Sequence, residues 1–410
     1  MSRELNVYLC GNLVGVLRED NSLQLTFQYS GKNVKPLSVH LPVKDDEYPN
    51  AYTFPFFENL VPEGDAFDIL TKDHVSGNKV YSILDRFGGD CAGAVAFYYN
   101  APVNNIDKTL HVIPPAKIAQ IIRKLPEDPL LTSLDNPPRL SLAGAQLKFA
   151  VYKQNNIYYR SDDEHPTTHI IKITNRRFPD LLENELFCMR LAQTILLDIP
   201  NVKLMDADGC PYLEIERFDR VTDNGTVCRV HQEDFCQALG IVSAKKYQSG
   251  GGPGLKDCYG IIDKYSKNHI SDVTRFIEWT VFNYLIGNTD AHAKNISLLH
   301  MESGIKLAPF YDLLSTEVYP QKLVDHYTAM LINGKGKYTS VCKNDFTALF
   351  EQLKLNPTNM MRLVNSKFAN TVKTAESLRD ELNSHTLLKT NVYDSIIDTI
   401  KKRWAVLFAG

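Results

Sequence analysis

Apolar and polar residues alternate with a period of two near the start of the chain. Leu23, Leu25, Phe27 and Tyr29 are separated by Gln24, Thr26 and Gln28, which predicts a strand with one buried face. The first 17 residues are interrupted by Arg3, Glu4, Asn6, Gly11 and Asn12 and read as a strand pair turning at Gly11-Asn12. The spacing becomes helical around 56–70 and 80–87, and Gly88-Gly89-Asp90-Cys91-Ala92-Gly93 then leads into a strand over 94–99. Residues 100–140 carry Pro102, Pro114, Pro115, Pro126, Pro129, Pro137 and Pro138 around one short helical stretch near 116–124. Proline at this density interrupts helices and sheets, so the stretch reads as a connection.

A second strand-rich region follows. Strands are expected over 140–152, around a tight Ala143-Gly144-Ala145 turn, over 168–174 and over 212–218. Between the last two, 181–197 has helical spacing, with Leu182, Leu186, Met189, Ile195 and Leu196 mostly on one face. Beyond about 220 the pattern is mostly helical. Residues 273–285 and 395–408 are the clearest cases, the latter with Ile396, Ile400, Trp404 and Leu407 on one stripe. No internal repeat or low-complexity tract is present.

Composition narrows the function classes. The 410 residues suggest two or three domains, and 44% hydrophobic with 23% charged residues is a globular balance. A net charge of -3 excludes a polybasic nucleic-acid coat or an acidic tail protein. Lys335, Lys337, Lys343 and Arg362 form either a local basic patch or a solvated face. The eight cysteines include no Cys-x-x-Cys pair and read as reduced thiols of a cytoplasmic protein. Runs such as 92–99 fall short of the ~20 apolar residues that span a bilayer, so no membrane anchor is expected. His165 and His169 lack the helical His-Glu-x-x-His of a metalloprotease, and no Gly-x-Ser-x-Gly elbow occurs.

The segment Gly287-Asn288-Thr289-Asp290-Ala291-His292-Ala293-Lys294-Asn295 carries the sharpest chemistry. Asp290 and Asn295 are spaced Asp-x-x-x-x-Asn, which in phosphoryl transfer lets the Asp accept a hydroxyl proton and the Asn hold magnesium. The plainer alternative is a polar loop capping a helix. Asp312, in Pro309-Phe310-Tyr311-Asp312-Leu313-Leu314, is either a second magnesium ligand or a strand-end turn. Lys172, inside the apolar Thr168-His169-Ile170-Ile171-Lys172-Ile173, suits a phosphate-pairing lysine or an edge-strand lysine. Its helix partner would be Glu185, with Glu183 the rival. The small residues of 140–148 suit a phosphate loop or a simple hairpin. Glu214-Ile215-Glu216-Arg217-Phe218-Asp219-Arg220 stands where a kinase hinge would meet adenine, or is a charged interdomain strand. Small-residue turn, strand Lys, helix Glu, linker strand, Asp-x-x-x-x-Asn and Asp occur in the order that a two-lobed kinase requires.

With those residues in view, the sequence closely resembles the HipA family of bacterial serine/threonine kinase toxins. The likeness lies in Ser141-Leu-Ala-Gly-Ala-Gln-Leu-Lys148, Thr167-Thr-His-Ile-Ile-Lys172, Glu216-Arg-Phe-Asp219, Gln232-Glu-Asp-Phe-Cys-Gln237, Tyr247 with Gly251-Gly-Pro-Gly254, Thr289-Asp-Ala-His-Ala-Lys-Asn295 and Pro309-Phe-Tyr-Asp312. Phe57-Glu-Asn-Leu-Val-Pro62 and Phe87-Gly-Gly-Asp-Cys-Ala-Gly-Ala94 match as well, so the likeness covers nearly the whole chain. The resemblance implies Asp290 as catalytic base, Asn295 and Asp312 as magnesium ligands, and Lys172 as the ATP-phosphate lysine supported by Glu185. It implies a phosphate loop of Ala143, Gly144, Ala145, Gln146, Leu147 and Lys148, with Leu147 where the best-known members carry an acidic residue. It further implies ATP contacts from Glu216, Arg217, Phe218, His292, Lys294, Tyr311, Asp312, Leu313 and Leu314, and autophosphorylation of Ser141. A phosphoserine there brings a charge near -2, which ATP phosphates could not share a loop with.

The expected fold is α+β, a two-lobed protein-kinase-like fold with an extra N-terminal β-rich subdomain (1–105), an N-lobe (106–218) and an all-helical C-terminal lobe (219–410). The expected function is a Mg-ATP-dependent, non-specific serine/threonine kinase toxin. Its implied substrate is a translation protein such as glutamyl-tRNA synthetase or another aminoacyl-tRNA synthetase. Its implied partner is a HipB-type helix-turn-helix antitoxin, which brings it to operator DNA. A corepressor with incidental catalysis and a small-molecule kinase remain the alternatives.

Overall fold

The computed structural model describes residues 3–72, 77–99, 110–129, 131, 143–144, 146–162, 165–175, 177–385 and 388–408. The chain divides into two compact units. The first comprises Met1–Ile173, Met205–Ser243 and Leu298–Glu302; the second comprises Thr174–Leu204, Ala244–Ser297 and Ser303–Gly410.

The first unit opens with strands β1 (Arg3–Leu9), β2 (Asn12–Glu19) and β3 (Leu25–Tyr29), helices α1 (Asn50–Glu58), α2 (Gly64–Lys72) and α3 (Lys79–Phe87), and strand β4 (Val95–Tyr98). The sheet order is β3-β2-β1-β4. Leu5, Val7 and Leu9 of β1 alternate inward and meet Phe56, Phe57, Tyr81 and Leu84 in one core. The expected strand pair is present, but Leu9 faces Asn12, so the turn is Cys10-Gly11 and not Gly11-Asn12. Both turn residues have positive φ, which matches the strand twist. Leu23 lies outside β3 and is exposed, because the chain turns there with φ 62°.

Helix α4 (Pro115–Lys124) follows; of the strand expected over 140–152, residues 140–142 and 145 lie outside the described residues, and the described part is a strand from Lys148. A sheet then forms from β5 (Lys148–Gln154), β6 (Ile157–Tyr159), β7 (His169–Ile173), β8 (Val202–Ala207) and β9 (Cys210–Glu216), in the order β6-β5-β7-β9-β8. Ile118, Ile121 and Ile122 of α4 pack with Phe149, Val151, Ile171, Ile173 and Tyr212 of this sheet. The lobe expected to be helical also carries short strands. They are β10 (Arg220–Asp223), β11 (Thr226–Arg229), β12 (His231–Asp234), β13 (Ser297–Met301) and β14 (Gly304–Leu307). The β10–β11 hairpin turns at Asn224-Gly225, a local signal that the broad helical pattern obscured.

Two buried polar clusters organise this unit. In one, Arg217, Arg220 and Arg229 surround Asp90 and Asp219. Arg220 lies 2.7 Å from Asp90 and 3.0 Å from Asp219, and Arg217 lies 2.7 Å from Asp219. In the other, His231 Nε2 lies 2.7 Å from the Leu37 carbonyl, and the ring sits 4.9 Å from that of His300. His300 in turn bonds Glu233 at 2.7 Å. A carbonyl only accepts, so Nε2 carries the proton in the neutral ring.

Burial first, and the neighbouring His300 second, push the His231 pKa down to about 3. The unfolded chain therefore binds a proton at this position below about pH 6.5 while the folded one does not. This contribution to stability is full above pH 6.5 and fades as the pH falls toward 3. Urea denaturation should show a loss of about 2 kcal/mol between pH 8 and 5 from this group alone. A His231→Gln variant should lose that part of the slope. Equal slopes for the two proteins would refute the assignment.

The second unit is built on helices α5 (Leu181–Thr194), α6 aside (Phe235–Leu239, in the first unit), α7 (Leu255–Tyr265), α8 (His269–Ile286), α9 (Lys343–Gln352), α10 (Pro357–Phe368), α11 (Thr371–Asn383) and α12 (Val392–Phe408). Helix α8 is buried at every position from Phe276 to Ile286, with Phe276 stacked on Trp279. Phe187 of α5 stacks on Tyr393 of α12 at 5.0 Å. On α12, Ile396, Ile400 and Leu407 are buried as the stripe predicts, and the Trp404 indole donates to the Phe368 carbonyl. Helix α5 stops at Thr194, so Ile195 and Leu196 lie past it; Leu196 is 82% exposed. Among the described residues, no helix is long and apolar enough to cross a membrane.

Candidate active site

The predicted residues fall in both units. In the first, Lys148 opens β5 and stands directly opposite Lys172 on β7. Directly opposed residues of an antiparallel pair share a face, with Cβ atoms about 5 Å apart. Two like charges so placed repel each other. Lys172 is 4% exposed. Lys148 Nζ donates to the Ala143 carbonyl at 2.7 Å, and Gln146 Nε2 to the Ile173 carbonyl at 3.5 Å. Leu147 packs on the core beneath α4, a use for an apolar residue at that position. Ser141 and Ala145 lie outside the described residues.

Strand β9 ends at Glu216, opposite His169, and Arg217 N–H donates to the Thr168 carbonyl. The Arg217 guanidinium bonds Asp219, Thr167 and the Cys91 carbonyl inside the buried charge cluster. Both its backbone N–H and its side chain are thus engaged within the unit. Phe218 is half-buried and Glu216 is exposed.

In the second unit, the Gly287–Asn295 segment starts where α8 stops. Gly287 takes φ 71°, and its N–H bonds back to the Asn283 and Tyr284 carbonyls. A Cβ there would meet the Glu317 carboxylate at 2.8 Å, so a glycine ends this helix. Asn288, 1% exposed, then acts as a hub. Its Oδ1 accepts from Asp290 N–H at 3.1 Å, and its Nδ2 donates to Asn283 Oδ1 at 2.8 Å and lies 3.5 Å from the Asp312 carbonyl. Thr289 N–H donates to Thr316 Oγ1 at 2.7 Å, latching the loop from the other side. Neither Asn288 nor Thr316 was singled out for a role by the sequence, although Asn288 lies within the segment.

Asn295 Nδ2 donates to the Asp290 carbonyl at 3.0 Å. That bond sets the amide, so Asn295 Oδ1 points the other way as an acceptor. Asp312 holds a left-handed φ of 53°, a conformation sparsely populated outside glycine and one that clusters at functional sites. Tyr311 braces the two ligand candidates: its hydroxyl lies 2.7 Å from the Lys294 carbonyl and 2.6 Å from Ser297 Oγ. Leu313 is buried and Leu314 half-buried beside them, and His292 and Lys294 are buried. The Tyr247 hydroxyl donates to Asp290 Oδ1 at 2.7 Å. On α5, Glu185 is 1% exposed, whereas burial holds the half-buried Glu183 carboxyl above its usual range.

Among the described residues, no group of three or more His, Cys, Asp or Glu side chains is gathered to hold a metal. Magnesium is a hard cation that takes one or two protein oxygens and otherwise waters and phosphates. The Asn295 oxygen, set by its amide bond, and the Asp312 carboxylate are donors of that kind. Lys335 of the basic patch is paired with Asp345 at 2.7 Å.

Residues 140–377 match the family model for the HipA-like C-terminal domain, and residues 5–98 that for the HipA N-terminal domain. The Sinorhizobium fredii protein Y4mE is 40% identical over 331 residues, 78% of each chain. The serine/threonine-protein kinase toxin HipA of Shewanella oneidensis is 30% identical over 343 residues, 80% of this chain and 76% of its own. A solved structure of Shewanella oneidensis HipA, in complex with HipB and its operator DNA, superposes with a TM-score of 0.81 at 26% identity, covering 98% of this chain and 96% of that one. The chain belongs to the HipA family and is a kinase of that type with the HipA fold.

Proposed function

We propose that this protein is a cytoplasmic serine/threonine kinase toxin that transfers the ATP γ-phosphoryl to a translation protein, an aminoacyl-tRNA synthetase such as glutamyl-tRNA synthetase, and to its own Ser141. Its partner is a HipB-type helix-turn-helix antitoxin, through which it reaches operator DNA. The chain is read as an N-terminal subdomain over 1–105, an N-lobe over 106–218 and a C-lobe over 219–410. The observation that carries the reading is the Asp290–Asn295 bond, which aims an amide oxygen away from the base it braces.

Lys148 and Lys172 bind phosphate oxygens and hold them against repulsion. Glu216 and Phe218 bound the adenine. Asn295 and Asp312 would hold magnesium, which when bound would supply charge neutralisation for the ATP phosphates. Asp290 orients the acceptor hydroxyl and takes its proton as the oxygen bonds to the γ-phosphorus. The bond from that phosphorus to the β–γ bridging oxygen breaks, and ADP leaves. Little covalent chemistry falls to the protein, so positioning and charge carry the rate.

The test is mass spectrometry of the purified protein after incubation with Mg-ATP, with phosphoproteomics after induced expression. Phosphate on Ser141 and on a translation protein is expected. A folded protein that forms no phosphoserine at saturating Mg-ATP would overturn the reading.

A further inference from the structure

We infer that Tyr247 is a positioning residue for phosphoryl transfer: its hydroxyl clamps one oxygen of Asp290 so that the other meets the acceptor hydroxyl. The inference rests on Asp290 being the base, as proposed above. Asp290 is an exposed carboxylate, with its side chain 45% accessible. The last torsion of an aspartate is broad and two-fold, so a solvated carboxylate rotates and exchanges its oxygens freely. A hydroxyl donating to a carboxylate makes a short, charge-assisted bond that opposes this rotation. The Tyr247 hydroxyl makes such a bond to Oδ1 at 2.7 Å.

The segment bearing Tyr247 is built to hold the phenol in place. Its carbonyl accepts from the N–H groups of Gly250 and Gly252, both at 3.0 Å. Gly252 packs so closely that a Cβ would fall 1.8 Å from the Lys245 carbonyl, and no other residue fits there. Gln248 N–H donates to the Ala329 carbonyl at 2.9 Å, while Ala329 N–H donates to the Thr289 carbonyl at 2.8 Å. Ala329 therefore ties the tyrosine segment to the residue preceding Asp290. Gln248 Oε1 also accepts from Leu331 N–H at 2.7 Å. The Tyr247 ring stands edge-on to the buried His292 ring, with centroids 5.4 Å apart. A phenol fixed by its bonded backbone and by the His292 ring is an anchor for a carboxylate, and Oδ2 is left to the substrate.

Removing the hydroxyl alone keeps the ring on His292. In the full chain, Tyr247→Phe should lower kcat about tenfold, since small misplacements of a reacting group are costly. The rate is read as ADP formed from Mg-ATP with dephosphorylated casein as acceptor. The KM for ATP, the affinity for a fluorescent ATP analogue and the urea midpoint should stay at wild-type values, a split that mere loosening of the fold would not produce. Asp290→Asn is run beside it. If that variant is inactive while Tyr247→Phe matches or exceeds the wild-type kcat, the hydroxyl does not position the base and the inference fails alone; a faster enzyme would mean that the phenol blocks the acceptor's place. If Asp290→Asn keeps wild-type activity, the assignment of the base fails first and takes this inference with it.

Discussion

Replacing Asp290 with asparagine should lower phosphoryl transfer by about 10²–10⁴-fold, the usual contribution of a positioned general base. That corresponds to about 3–5 kcal/mol on the barrier. The substitution is nearly isosteric, and the bonds that hold this residue in the loop use its backbone. Its N–H donates to Asn288 Oδ1, and its carbonyl accepts from Asn295 Nδ2. Both survive the change. What is lost is an oxygen that accepts a proton. Nucleotide affinity and the unfolding midpoint should therefore match the wild type while ADP formation and Ser141 phosphorylation fall by that factor. A fall of less than tenfold would remove Asp290 from the role of base. A large fall in nucleotide affinity would instead place it among the phosphate or metal contacts.

That prediction was accessible from the sequence because the relevant relation is local. Asp290 and Asn295 lie five residues apart on one loop, and the loop is delimited by a helix end that the apolar run of α8 foreshadows. Strand and helix positions were legible for the same reason, since periods of two and 3.6 are local properties. Errors fell at element ends. The turn at Cys10-Gly11 and the stop of α5 before Ile195 are decided by single backbone conformations that periodicity does not encode. Long-range partners were not legible at all. Tyr247 lies 43 residues before Asp290, and its approach depends on Ala329, later still in the chain. On α5 the sequence names Glu185 with Glu183 as its rival but does not show that Glu185 is buried and Glu183 half-buried. Arg217, for which the resemblance implies an ATP contact, commits its guanidinium to Asp219 and to the Cys91 carbonyl, partners that the sequence does not show. A charged residue in a linker strand looks the same in sequence whether it faces solvent or a buried acid.

Replacing Asp219 with alanine should destabilise the first unit by about 3–5 kcal/mol, the cost of leaving buried charge uncompensated. Asp219 is 3% exposed and accepts from Arg217, from Arg220 at 3.0 Å and from Gly93 N–H at 2.7 Å. Burial alone would raise its pKa, but Arg217 and Arg220 outweigh that and hold it below the usual range. The same holds for Asp90, where Arg220, Arg229 and Arg217 prevail over burial. Carboxyls depressed in the folded state stabilise it fully above about pH 4 and lose that effect as acid protonates them. Removing Asp219 leaves three arginines facing Asp90 alone. Burial and the charge of Arg217 already push the Arg220 pKa down to about 10, which marks how tightly the positive charges are crowded. Urea unfolding should therefore show the loss at pH 7. Asp219→Asn should lie between alanine and wild type, because it keeps an acceptor for Gly93 without the charge. The double variant Asp219→Ala with Arg217→Met should recover much of the loss, since it removes the stranded charge together with its partner. A single alanine variant as stable as wild type would show that solvent reaches this cluster and that it does not hold Gly93 and the strand after it against Arg217 and Arg220. With the predicted loss, the family-matched segments Phe87–Ala94 and Glu216–Asp219 have a shared physical reason: each supplies the charges that the other buries.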